Sequence, residues 1–159
     1  MPYAKVVPVV SRRMRALCVQ PYPLHPKGCP KYGKCDTCPP RIRFLEDYFD
    51  LDEPLWAIWN VFPVGDHVRK MKAAHPDWSE RQLSCVLYWQ PTAHRQLEAE
   101  IASFQREHPE LVTTRCPEAM GLNVTETLAS AGITLEWPPV RFALQVAVAG
   151  RPGRLLPAR

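Results

Sequence analysis

The stretch Gly28-Cys29-Pro30-Lys31-Tyr32-Gly33-Lys34-Cys35-Asp36-Thr37-Cys38-Pro39-Pro40 lies in a proline-dense segment that no helix can cross. Prolines stand at 21, 23, 26, 30, 39 and 40. Each removes a backbone donor and fixes φ. Gln20 to Pro40 therefore reads as a loop of about twenty residues, a length that in a compact domain usually marks function. Three cysteines of this loop, with Cys18 just ahead of it, offer a way to order it without a hydrogen-bonded ladder. They can share one metal centre, so the rest of the chain has to be a domain that presents such a loop.

The cysteines are Cys18, Cys29, Cys35, Cys38, Cys85 and Cys116. A chain of 159 residues can bury a core without covalent staples, so disulfides are not needed to explain them. Cys29, Cys38 and Cys116 are each followed by proline. A Cys-Pro step is found where a thiolate holds an iron–sulfur cluster, because proline sends the chain away in one direction and adds apolar cover. Two ligand sets follow. The local set is Cys18, Cys29, Cys35 and Cys38. The distributed set replaces Cys35 with Cys116 and uses all three Cys-Pro steps. Structural zinc sites usually show two close Cys pairs, and here Cys35-x2-Cys38 is the one close pair. The spacing thus favours a cluster, [4Fe–4S] first, with Zn2+ as the alternative cofactor. A thioredoxin-like role for Cys35 and Cys38 requires a helix to open after them, and Pro39-Pro40 prevents it. Cys85, beside Val86 and Leu87, reads as a small buried hydrophobe in a helix.

The run from Gly28-Cys29 through Tyr32-Gly33-Lys34 to Cys38-Pro39-Pro40 resembles the DUF2284 family of metal-binding proteins. That family carries a Gly-Cys, Tyr-Gly-Lys, Cys-Pro-Pro pattern with a further cysteine upstream, and Cys18 matches the upstream position in order. The resemblance covers residues 18–40. The segment Cys116-Pro117-Glu118-Ala119-Met120-Gly121 looks like part of a narrower related group. The resemblance implies metal binding and no particular reaction. It also implies that a cysteine at the Cys35 position is not required, which favours the distributed set.

Working outward, residues 3–10 and 14–19 read as strands, and Arg41–Phe49 as a short helix. Pro54–Phe62 reads as a buried strand. Asp66 is placed as the N-cap of a helix to Ala74, ended ahead of Pro76. Ser79 with Gln82 forms a capping box for a helix over Glu80–Trp89, with Leu83, Val86 and Leu87 on its apolar face. Pro91 opens a further helix over Thr92–Glu107, with Leu97, Ile101 and Phe104 inward. Leu111–Arg115 is a strand into Cys116. Asn123 caps a helix over Val124–Ala131 with Gly132 after it. Ile133–Trp137 and Val140–Ala149 are strands. The sum is an α/β or α+β single domain over 1–149, with a central sheet of four to six strands and four or five helices. Residues 150–159 are expected to form a flexible basic tail.

Composition narrows function less. Net charge is +4, with arginines at 12, 13, 15, 151, 154 and 159. That permits an anionic partner without requiring one. Five tryptophans point to an aromatic core or a cofactor pocket. No window is apolar enough for a membrane helix and no secretory h-region stands at the start, so a cytoplasmic protein is expected. His25, between two proposed ligands, is a candidate fourth ligand and, like Glu118, a candidate catalytic residue. Glu118, two residues after Cys116, is a candidate acid or base if one iron is left open. His75, His94 and His108 read as solvated. No phosphate-binding glycine loop or nucleophile elbow is present. Three functions follow. The first is a cluster used for electron transfer, with a redox partner, or for structure. The second is an enzyme whose three-thiolate cluster acts as Lewis acid on a small molecule. The third is a zinc module for nucleic acid or protein.

Overall fold

The computed structural model describes residues 2–21 and 26–154. Four strands form one antiparallel sheet in the order β1-β2-β4-β3: β1 Tyr3–Val6, β2 Leu55–Phe62, β3 Val112–Thr114 and β4 Ala143–Gly150. Five α-helices accompany them among the described residues: α1 Leu45–Tyr48, α2 Val64–Ala74, α3 Glu80–Leu83, α4 Val86–Glu107 and α5 Val124–Ala129. The fold is α+β. No described helix is long and apolar enough to cross a membrane.

The two central strands alternate between two cores, as the two-residue period of a strand requires. Leu55 and Ala57 of β2 and Val148 of β4 face Leu45, Phe49, Met120, Leu122 and Leu128. Ile58 of β2 with Ala147 and Ala149 of β4 face Leu97, Ile101 and Phe104 of α4. Further along, Phe62 stacks on Trp89 with ring centroids 5.3 Å apart. Buried Asn60 donates to the Ala93 carbonyl of α4 at 3.0 Å. The sheet is thus covered on one side by a single long helix. On the other it is covered by short segments, among them residues 120–122, which lie just after Cys116.

Several expected boundaries move, for identifiable reasons. Residues 7–10 leave the sheet because α5 captures them: Val7 and Val9 donate their backbone N–H to the Ser130 and Thr127 hydroxyls. Residues 12–19 form a 3-10 helix, not a strand. No sheet edge meets them, and arginines hold them instead: Arg12 and Arg15 lie 4.3 and 4.1 Å from the Phe44 ring. The helix expected over 41–49 shrinks to α1. Helix α2 begins at Val64, which is buried, so Asp66 lies inside the first turn and pairs with Arg69. The Ser79–Gln82 capping box forms as expected, yet its helix stops after Leu83. A new helix then starts at Val86 and runs through Pro91. Cys85 is therefore its N-cap, half-buried, and Val86 and Leu87 are exposed instead of inward. Asn123 caps α5 through the Glu126 N–H at 3.2 Å. Residues 133–137 are not a strand, since Pro138 and Pro139 follow without a partner edge.

The expected tail over 150–159 begins later among the described residues, and its part over 155–159 lies outside them. Strand β4 includes Gly150, and the chain stays packed to Gly153, whose N–H reaches the Tyr48 carbonyl at 2.8 Å. A Cβ at Gly150 would run into Leu55 Cδ2 and lie 2.9 Å from Phe49 Cδ1. Gly150→Ala should therefore lower stability by about 1–3 kcal/mol through overpacking, read as a lower urea midpoint at unchanged slope. An unchanged or raised midpoint would show that this corner has room.

Candidate metal centre

Three separated parts of the chain build one end of the fold. The 3-10 helix 12–19 carries Cys18. It packs on a second 3-10 segment, Glu118–Met120, which directly follows Cys116-Pro117. Ser11 donates to the Gly121 carbonyl at 2.6 Å, and Val10 bridges Leu122. The proline-rich loop is then tied to both. Cys29 donates its N–H to the Cys18 carbonyl at 2.8 Å. Arg15 reaches the Ile42 carbonyl at 2.6 Å. The Thr37 side chain hydrogen-bonds Cys116.

Gly28 makes the first of these ties possible. Its φ is +80, and a Cβ there would stand 2.7 Å from the Cys18 carbonyl oxygen and 2.8 Å from Val19 backbone atoms. Only glycine takes that φ freely and lets two backbones approach so closely. Within the loop, short turns replace ladders: Cys38 N–H to the Cys35 carbonyl at 3.0 Å, Ile42 N–H to Cys38 at 3.0 Å, and Gly33 N–H to Pro39 at 3.0 Å.

The electrostatics report which sulfurs are neighbours. Burial pushes the Cys18 thiol up first; the charges of Cys29, Cys38 and Glu118 add to it, and Arg15 opposes them. Burial likewise raises Cys116, with Glu118 and Cys38 adding and Arg115 opposing. Glu118 itself is exposed in area, but its carboxyl is set back among packed atoms. That desolvation raises it, and its own backbone N–H partly offsets the rise. Cys18 is thus within electrostatic range of Cys29, Cys38 and Glu118, and Cys116 of Cys38 and Glu118.

The remaining candidates fall elsewhere. Cys35 is exposed and contributes to neither shift. Cys85 is at the start of α4. His25 lies outside the described residues. His108, expected in solvent, packs against Phe104 with ring centroids 4.5 Å apart. His75 stacks on Trp78 at 4.0 Å. Among the described residues, no group of three or more His, Cys, Asp or Glu side chains is drawn together tightly enough to hold a metal ion. The thiols share a region, not a finished coordination sphere.

Comparison with known proteins finds no matching family model, no matching curated protein and no matching solved structure. The likeness to the DUF2284 pattern accordingly stands on the quoted motif alone.

Sequence reading missed the cleft beside Cys116. It has a volume of about 640 Å³ and is lined by Arg41, Arg43 and Arg115, with Ile101 and Met120 among its apolar walls. A signal was present in the chain. Arg41 and Arg43 follow Cys38-Pro39-Pro40 almost directly, and Arg115 precedes Cys116.

Proposed function

We propose that the protein binds an iron–sulfur cluster, of the [4Fe–4S] type, through Cys18, Cys29, Cys38 and Cys116. What supports this reading is that Cys29 donates its N–H to the Cys18 carbonyl at 2.8 Å and that the 12–19 segment packs on the one that directly follows Cys116. The fit of the donors is chemical: four thiols, three of them followed by proline, in a region rich in cations. From Arg12 to Arg43 the chain has eight Lys or Arg and a single acid, Asp36. Such surroundings favour the net negative charge of a thiolate-bound centre. The reading requires binding to draw the ligands together, as coupled metal binding and folding can do, because no metal-holding group is assembled among the described residues. The cluster would supply one-electron transfer or a structural clamp on the loop.

Cys35 is the alternative fourth ligand, and the two sets separate in one experiment. Protein purified without oxygen should be brown and carry iron and sulfide. Cys116→Ser should lose iron retention, while Cys35→Ser should keep it. The reverse result transfers the role to Cys35. Stoichiometric zinc without iron would replace the cluster reading with a zinc module.

A second reading has one supporting observation. Glu118 stands within the electrostatic reach of both Cys18 and Cys116, where an acid or base would be needed if only three thiolates held the cluster. Retention of a cluster by one of the four Cys→Ser variants would favour it.

A further inference from the structure

The cleft beside Cys116 has the chemistry of a binding site in its own right. It is bounded by the loop around Asp36–Arg43, by α4 through Glu98 and Ile101, and by β3 with Arg115 after it. Its volume of about 640 Å³ lies within the ~300–1,000 Å³ range of small-molecule sites. Three arginines line it, each already engaged with a partner within the protein, and a guanidinium fork matches the oxygens of a carboxylate or phosphate. Two carboxylates stand opposite. Arg41 lies 3.6 Å from Asp36, whose side chain is 97% exposed, and Arg115 pairs with Glu98, both about half exposed. Solvent-open pairs of this kind are weak, so a ligand oxyanion can exchange with them. Apolar atoms of Ile42, Ile101 and Met120 offer a surface for the rest of an organic molecule.

We propose that this cleft binds a small organic anion, its carboxylate or phosphate held between Arg41, Arg43 and Arg115, with Glu98 as the internal competitor for Arg115. The inference rests on the cleft itself and takes from the metal reading only the place of Cys116 at its rim. If both hold, the anion sits next to the metal centre, where a substrate would.

Full-length protein, in metal-free and iron-loaded forms, is titrated calorimetrically with inorganic phosphate and separately with citrate, at constant ionic strength. Saturable one-site binding of at least one probe is expected in both forms. Tighter binding of phosphate assigns the phosphate class, and tighter binding of citrate the carboxylate class. Arg43→Gln and Arg115→Gln should each weaken it by about tenfold, the usual scale of a charged hydrogen bond. Glu98→Gln, a half-exposed position that the fold does not need, should tighten it by several-fold. Arg81→Gln, on exposed α3 away from the cleft, should change it by less than about twofold, because solvent screens distant charge. Absence of saturable binding by either probe overturns the inference. So does an equal loss from Arg81→Gln, or a weakening by Glu98→Gln. A protein that takes up no iron yet binds the anion leaves this inference standing and removes only the metal reading.

Discussion

On the proposed metal centre, Gly28→Ala should cost the protein most of the iron it binds while leaving the sheet folded. The residue has φ +80, and a Cβ there would be 2.7–2.8 Å from three backbone atoms of Cys18 and Val19. Left-handed φ alone costs a non-glycine residue about 1–2 kcal/mol. The larger effect is steric. The neighbours are backbone, so no rotamer change relieves the contact, and the loop must lift off the 12–19 helix. That movement breaks the 2.8 Å bond from Cys29 N–H to the Cys18 carbonyl and parts two of the proposed ligands. Loss of a positioning contact around a metal commonly costs about 10–100-fold in affinity, and iron per protein after desalting should fall on that scale. Gly33→Ala is the internal comparison. Its φ is +70, yet nothing lies within 4 Å of an added Cβ, so it has the dihedral cost without the clash and should keep most of its iron. Circular dichroism of the metal-free variants should match the parent protein. Full iron content in Gly28→Ala would mean that the Cys18–Cys29 approach does not build the centre.

The contrast between what could and could not be read from this chain has a physical origin. Long-range burial left clear marks. Leu97, Ile101 and Phe104 recur at helical spacing and do face the sheet, and Asn123 and Ser79 are caps whose partners are local. Segments held by side chains were misread. Met14–Val19 has the alternation of a strand, but Arg12 and Arg15 pin the region to Phe44, and that contact spans about thirty residues of sequence that no local pattern encodes. Val86 and Leu87 have core chemistry, but the break at Ser84-Cys85 rotates them into solvent. The cysteines stand out as a set in the sequence because spacing and Cys-Pro steps are sequence properties, but among the described residues they are not gathered into a metal-holding group. The arginine cleft was not legible, because Arg43 and Arg115 line one cleft only after β3 and the loop are brought to the same end.

The second large effect falls on the opposite face of the sheet. Phe104→Ala should lower stability by about 3–5 kcal/mol, the range for emptying a buried aromatic site. Phe104 is fully buried in α4. Its ring meets Tyr3 at 5.0 Å, Trp56 at 5.7 Å and His108 at 4.5 Å between centroids. Those partners come from β1, β2 and the end of α4, so a cavity there weakens three elements together and cannot collapse by shifting one. Tyr3 is further held by its hydroxyl on Glu107 at 2.7 Å, which resists inward relaxation. A domain with the usual ~5–15 kcal/mol of stability loses a large share of it, visible as a lower urea midpoint. Leu87→Ala, in the same helix but 75% exposed, should stay within about 0.5 kcal/mol of the parent. A small loss at Phe104 would mean that α4 is not the lid of this core. A large loss at Leu87 would mean that the outer start of α4 is covered in solution, since none of the described residues covers it.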